Sequence, residues 1–342
     1  LAPGRKSFTF PSHYLHFYRI SVYSTPHIAF AAKCRLEFED LVKQRTIKKA
    51  VSTVGIGVHT ANKVQLAFRP APANTGIVFV RTDIKSLPTI KAHANNVSNT
   101  MLSTSLSEQG VTVSCVEHLM SALWAMGIDN LFIEVDSEEI PIMDGSAAPF
   151  IYLIKNAGIE TLEADKQFIR ILSEIEVSDG DAIATLKPFD GFKASYTFIY
   201  DHHVYNRYPK HACLDFSKTS FVDEVSRART FGLAKDLDQA QAMNKCLGSS
   251  LENAIGIDDY AILNQDGLRY EDEFVKHKLL DAIGDLYLCG HTIIGEFEGY
   301  KSGHTSNNLL ARALLAQPEA WTLVTPEAQD SSSEPFLQPI AA

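Results

Sequence analysis

The sequence predicts an α+β protein, because one order of elements occurs twice and each occurrence lies in a half that also holds strand-rich sequence. In both, a helix closed by a glycine, Gly127 or Gly290, leads into a strand, a glycine-bearing turn and a second helix. Few residues are shared between the two, so the repetition is of pattern and not of sequence. The expected architecture is two similar sheet-and-helix domains forming a layered sandwich, with the functional site between them. The expected domains are 41–165 and 166–325, the second carrying a small insert near 233–257. Residues 1–40 are an unassigned N-terminal extension, and 326–342 form a C-terminal tail.

The first domain opens with alternating apolar and polar residues in three strands, Val51–Ile56, 64–68 and 76–81, the last two separated by the turn-rich Pro70-Ala71-Pro72-Ala73-Asn74-Thr75. Ser114-Cys115-Val116-Glu117 then reads as a capping box, with Ser114 as cap and Glu117 its reciprocal partner. The helix it heads keeps Val116, Leu119, Met120 and Leu123 on one face and stops at Gly127. A strand over 130–135 follows, then a turn through Pro141 to Gly145 and a helix from Ser146 to near Gly158. In the second domain, strands dominate 168–177, 182–186 and 192–200. An amphipathic helix is expected over 233–247, where Leu233, Leu237, Ala240, Met243 and Leu247 keep helical spacing. The closing elements are a helix from about Glu271 to Gly290, a strand Thr292–Tyr300, the turn Lys301-Ser302-Gly303 and a helix over about 306–315.

Composition narrows the function. The chain has 342 residues, 45% hydrophobic, with 31 Lys and Arg against 41 Asp and Glu and a net charge of -10. So acidic a surface repels phosphate overall, which argues against nucleic acid as a partner and requires a local basic cluster for any anionic substrate. The five cysteines are scattered without a CxxC pair, which suits a reducing compartment. No stretch approaches the roughly 18 apolar residues of a membrane span. A cytoplasmic protein acting as a monomer is expected. Residues 1–40, basic and aromatic with no acid before Glu37, read either as a transit peptide or as sequence outside the native folded protein. The second reading is preferred, because patterned sequence begins only near Leu41.

Three segments carry chemistry. At about 100° per residue, His277, Asp281 and Asp285 fall within roughly 80° of one another, opposite Val275, Leu279, Ala282 and Leu286. A His and an Asp four apart can share a metal ion, although so short a pattern by itself fits a solvated face with an incidental pair better. Glu117-His118 lies in the first turn of its helix. Adding His118 to His277 and Asp281 makes a three-ligand set with a position open for water, beside which Glu117 would act as general base; Glu117 could equally be only a cap partner. In Ser302-Gly303-His304 a turn before a helix offers an imidazole at a loop edge, or simply a surface histidine.

Longer motifs occur in one order along the chain. They are Val-Glu-His-Leu at 116–119, Gly-Ile-Asp-Asn at 127–130 and Ile-Pro-Ile-Met-Asp-Gly-Ser-Ala-Ala-Pro-Phe at 140–150. Arg-Ala-Arg-Thr-Phe-Gly at 227–232, His-Lys-Leu-Leu-Asp-Ala-Ile-Gly-Asp at 277–285 and Lys-Ser-Gly-His at 301–304 follow. With these motifs the chain resembles the UDP-3-O-acyl-N-acetylglucosamine deacetylases, from about Leu41 to beyond Trp321. The resemblance implies zinc held by His118, His277 and Asp281, with Glu117 as general base. It makes His304 the cation that protonates the leaving amine or steadies the oxyanion, Asp285 its orienting partner, and Thr230 a hydrogen-bond donor to the oxyanion.

The substrate implied is a UDP-linked acylated glucosamine, deacetylated on the way to lipid A in a Gram-negative cytoplasm. Lys278, one residue past a proposed ligand, would reach a phosphate or sugar, or be an ordinary solvated lysine. Phe231 would offer a flat surface to a sugar or base, or pack in the core. His59 lies in an early glycine-rich loop in which the family usually follows this histidine with Thr-Gly; here Thr60-Ala61 follows, so a permissive glycine is missing. Leu237 and its stripe would wall a passage for the acyl chain, or only pack on their domain. The rivals are a zinc amidase acting on another nucleotide sugar and a catalytically silent paralogue that binds a nucleotide sugar or a partner protein.

Overall fold

The computed structural model describes residues 42–325. The 1–40 extension and the 326–342 tail lie outside the described residues. Up to Asp165 the elements are β1 (Lys43–Ile47), β2 (Val51–Ile56), β3 (Lys63–Pro70), β4 (Ile77–Arg81), β5 (Thr89–Lys91), β6 (Val97–Asn99), β7 (Ser105–Glu108), β8 (Val111–Val113), α1 (Glu117–Ala125), β9 (Leu131–Val135), α2 (Ala148–Ala157) and β10 (Ile159–Asp165). The remainder comprises β11 (Phe168–Ile171), β12 (Ile175–Asp179), β13 (Ala182–Lys187), β14 (Phe192–Thr197), β15 (His211–Asp215), α3 (Phe221–Glu224), β16 (Phe231–Leu233), α4 (Ala234–Ala242), β17 (Ile255–Ile257), α5 (Glu273–Tyr287), β18 (Thr292–Tyr300), α6 (His304–Ala316) and β19 (Trp321–Val324).

Two mixed sheets carry the α+β fold. The first has the order β2-β3-β9-β4-β5, all antiparallel except the β4–β9 pair. In β3 the period of two buries Val64, Leu66 and Phe68 and leaves their neighbours outside. The second sheet is built round β18, which runs parallel to β11 and β14 and antiparallel to β13. Helix α2 packs on α1 and β2, and α6 packs on α5, β12 and β13; α1 and α5 pack against each other. The helices therefore meet in the middle of a layered sandwich, where one apolar core takes Phe79 and Phe150 from the first half and Phe274 and Phe297 from the second. Across the same seam Tyr287 donates to the carbonyl of Ile128, and the buried Lys166 pairs with Asp129 at 2.9 Å.

Several expectations are corrected. The capping box is not formed: Val116 is the helix cap and makes no side-chain cap bond, while the Ser114 hydroxyl donates to Glu138 O. The cause lies at Cys115, whose φ of +59° turns the chain between Ser114 and the helix. The 168–177 strand is two strands, β11 and β12, which pair with different partners. The 233–247 helix is shorter: Leu233 is buried in β16, α4 ends at Ala242, and Met243 and Leu247 are exposed. Helix α6 starts at His304, two residues earlier than expected, because the backbone of Gly303 is extended and Ser306 Oγ accepts the Gly303 N–H. Helix α5 has no solvated face, since every residue in it except Lys278 is buried.

Candidate active site

The site lies where α1 crosses α5. A glycine within a helix is unfavourable by about 1 kcal/mol relative to alanine, yet Gly284 sits in the interior of α5. A Cβ there would stand 2.0 Å from the carbonyl oxygen of Glu117, so only glycine permits this approach. It brings the first turn of α1 onto the His277–Asp281 face of α5. His118 Nε2 and His277 Nε2 each lie 3.4 Å from Asp281 Oδ1, and the two rings meet edge-on with centroids 5.0 Å apart. All three residues are buried, and their potential ligand atoms lie within 4.8 Å of one another.

The protonation of this cluster suits a metal. His277 Nδ1 is 3.1 Å from the carbonyl oxygen of Ala228; a carbonyl only accepts, so Nδ1 carries the proton and Nε2 presents its lone pair. Burial pushes the His277 pKa down to about 3, against the pull of Asp281. Burial opposes the charge on Asp281, but the His277 ring and the Lys278 ammonium hold its carboxyl well below the usual range. Its Oδ2 accepts from Lys278 Nζ at 2.8 Å. Its Oδ1, wholly buried, has no hydrogen-bond partner among the described residues. A buried anionic oxygen without a donor, facing two imidazole nitrogens, fits a divalent cation with His and carboxylate ligands.

Glu117 and His304 face each other beside the cluster. Glu117 Oε2 accepts the Thr104 N–H at 3.0 Å, and Oε1 lies 3.7 Å from His304 Nε2. Burial raises the Glu117 pKa, and His304 and His118 partly offset it. His304, the first residue of α6, is not at a loop edge but pressed against α5, with Nδ1 2.9 Å from Asp285 Oδ2. Burial works against its charge; the Asp285 carboxylate, then that of Glu117, prevail and raise its pKa to about 9. The pair is thus a buried carboxylate with raised pKa facing a histidine that is cationic at neutral pH.

The other expected residues divide. Lys278 is not a solvated side chain: besides Asp281 it holds Phe231, with Nζ 5.5 Å from the ring centroid. Phe231 is half-buried and packs on Phe198, Tyr205 and Phe274, with the ring of His277 5.9 Å away. Thr230 is half-buried, held by its N–H to Gly145 O and its carbonyl to the Ile255 N–H, two residues beyond the carbonyl that fixes His277. A buried ion pair sets that segment: Arg229 Nε and Nη2 donate to the two oxygens of Glu273, at the start of α5. Leu237 is half-buried on α4.

His59 belongs to a second buried group with Cys115 and Glu139. Its Nδ1 accepts the Cys246 N–H, leaving the proton on Nε2, 3.3 Å from Ser103 Oγ. Ala61 takes the left-handed conformation that a glycine would adopt freely, with φ +57°, and the turn closes through Ala61 N–H to Gly57 O. Sequence reading missed Thr104, Asn307 and the Arg229–Glu273 pair. Asn307 had a signal, since it lies one turn after His304; Thr104 and Glu273 act on residues distant in the chain.

The chain matches the family described as LpxC: UDP-3-O-acyl N-acetylglycosamine deacetylase over residues 44–316. It is 52% identical over 302 residues to the UDP-3-O-acyl-N-acetylglucosamine deacetylase of Hahella chejuensis (strain KCTC 2396), covering 88% of this chain and all of that protein. The protein of the same name from Marinobacter nauticus (strain ATCC 700491 / DSM 11845 / VT8) is also 52% identical, over 88% of this chain and 99% of its own length. With that family matched across most of its length, and relatives of one name aligned nearly end to end, the chain belongs to the UDP-3-O-acyl-N-acetylglucosamine deacetylase family.

Proposed function

We propose that this chain hydrolyses the N-acetyl group of a UDP-3-O-acyl-N-acetylglucosamine, releasing acetate, as a zinc-dependent amidohydrolase of lipid A biosynthesis. The observation that carries the reading is the orphaned Asp281 Oδ1 between two imidazole nitrogens, with Glu117 and His304 facing each other beside it. His118, His277 and Asp281 would hold the zinc, which supplies Lewis acidity that lowers the pKa of a water toward about 7 and polarises the acetyl carbonyl. Glu117 takes a proton from the attacking water, a role that its raised pKa favours. Thr230 donates its hydroxyl to the developing oxyanion. As the C–N bond breaks, His304 gives its Nε2 proton to the leaving amine, while Asp285 holds Nδ1 and stabilises the cation until then.

Lys278 and Phe231 form a cationic and aromatic edge to the site that suits a sugar carrying phosphate. The division into 41–165 and 166–325 is part of this reading, with the site at the seam and α4 walling an acyl passage. No helix among the described residues is long and apolar enough to cross a membrane. The reading takes the enzyme to be cytoplasmic, as the free thiols of Cys115, Cys213, Cys246 and Cys289 suit a reducing compartment. The test is acetate release from the acylated UDP-sugar by purified protein, before and after chelation and after zinc is returned. Full turnover by metal-free protein would overturn the zinc reading, and no acetate from the loaded protein would overturn the activity.

A further inference from the structure

Thr104 stands between the two halves of the proposed acid–base machinery and touches both. It follows Leu102, a non-glycine residue at φ +61°, and directly precedes β7. Its N–H donates to Glu117 Oε2 at 3.0 Å, and its carbonyl accepts the Val116 N–H. Its hydroxyl donates to Asp285 Oδ1 at 2.6 Å. The opposite oxygen of Asp285, Oδ2, takes His304 Nδ1 and Asn307 Nδ2, each at 2.9 Å. Each Asp285 oxygen is thus engaged on one side, and the carboxylate cannot rotate without breaking a bond at one end. Thr104 is 1% exposed and Asp285 also 1%, so no bulk water replaces the hydroxyl if it is removed.

We infer that Thr104 is a positioning residue for this reaction: it fixes Asp285, and through it His304, relative to Glu117. The inference rests on the acid–base reading of Glu117 and His304. One residue sets both partners, the base through its backbone N–H and the acid through its side chain. Substitution therefore separates them, because Thr104→Val removes the hydroxyl and keeps the N–H on Glu117. Hydrogen bonds to charged groups are worth enough that losing this one should lower kcat by about 10- to 100-fold. KM should stay within about twofold, since Thr104 is buried and spends its N–H on Glu117 and its hydroxyl on Asp285.

The experiment compares Thr104→Val, Thr104→Ser and Asp285→Asn, alone and combined, for kcat, KM, zinc content and melting temperature. Expected are a kcat loss in Thr104→Val with zinc retained, recovery in Thr104→Ser, and little further loss when Thr104→Val is added to Asp285→Asn, because the hydroxyl acts through that carboxylate. Should the valine variant not fold, Thr104→Ala carries the same test. A wild-type kcat without the hydroxyl, or a loss that multiplies unchanged in the Asp285→Asn background, overturns the inference. His304→Gln and Glu117→Gln, measured in parallel, separate the two failures: if both are fully active, the acid–base reading itself falls, whereas crippled variants beside a normal Thr104→Val remove only the role of Thr104.

Discussion

Two buried clusters in this molecule are built from similar parts. His118, His277 and Asp281 form one, His59, Cys115 and Glu139 the other, and in each the potential ligand atoms lie within 4.8 Å of one another. They differ in how the carboxylate is used. Asp281 Oδ1 has no hydrogen-bond donor among the described residues, whereas Glu139 accepts the His59 N–H at 2.7 Å, the Thr60 N–H at 3.0 Å, the Thr60 hydroxyl at 2.9 Å and the Cys115 thiol at 3.4 Å. Gly57 is part of the fit, since a Cβ there would stand 2.4 Å from Glu139 Oε2. Burial, then the Glu117 and Glu139 carboxylates, push the Cys115 thiol well above its usual pKa, and its S–H is spent on Glu139 Oε1. Proximity of ligand types therefore does not make a metal site; unspent lone pairs do. The second cluster is a clamp on the 57–61 loop.

The strongest way to break this contrast is metal analysis of variants from each cluster. His277→Ala should lose the zinc and with it activity down to background, while Cys115→Ser should keep both. A second tightly held ion in the wild type that disappears in Cys115→Ser would make the clamp a metal site after all.

Next in size are the two buried glutamates. Glu117→Gln should retain zinc and lower kcat by about 10²- to 10⁴-fold, the usual weight of a general base. Glu139→Gln should instead lower the melting temperature by several degrees with kcat nearly kept, because it weakens bonds that hold a loop. Calorimetry and steady-state kinetics on the same preparations decide the assignment; exchanged phenotypes would reverse it.

A third test is pH. His304 is raised from 6.5 to about 9; with the proposed role as the cation, the rate should fall as pH rises through about 9. Glu117, proposed to act ionised, has a pKa raised above 4.5, so the rate should fall again as pH drops through its shifted value. Linkage gives the matching sign for stability: protonated His304 stabilises the fold fully below pH 6.5, and that contribution is lost as pH rises through about 9. His304→Gln should remove the basic limb of the rate profile, and an unchanged basic limb would assign it to another group.

The grouping of His118, His277 and Asp281 was legible because its parts are local: His277 and Asp281 share one face of a long helix, and Glu117-His118 heads another. The nine-residue strand Thr292–Tyr300 was read to the residue, since the glycines at 290 and 303 bracket it closely. The 97–113 region was not legible, because strands of three or four residues are too short to show a period. Thr104 lies there, and its partner Asp285 is 181 residues away. The false capping box had the right residue types; the left-handed Cys115 that defeats it follows from its contacts and not from any turn residue. The role of Glu139 was hidden likewise, as a carboxylate satisfied by backbone N–H groups 79 and 80 residues away.

The smallest expected effect asks what the clamp is for. It ties the 57–61 loop to the segment after α4, through Leu247 N–H to His59 O, Gly248 N–H to Val58 O and Cys246 N–H to His59 Nδ1. Met243, Leu247 and Leu251 there are about half exposed, as is Ile56 on β2, whose Cγ2 would lie 3.2 Å from a Cβ at Gly248. Apolar side chains left open to water on this segment and on β2 suit an acyl chain, and Leu237 is half-buried on the helix leading into this segment. Each methylene buried is worth about 0.8 kcal/mol, so two held by this wall change binding by roughly tenfold. Leu237→Asp should therefore raise KM for the acylated substrate by about that factor, with zinc content unchanged. Turnover of an analogue lacking the acyl chain should hardly change, since it never touches the wall. Measuring kcat/KM for both substrates on both proteins isolates the acyl contribution. Equal losses on the two would mean that Leu237 only packs α4 onto its domain, and the clamp would then serve the fold alone.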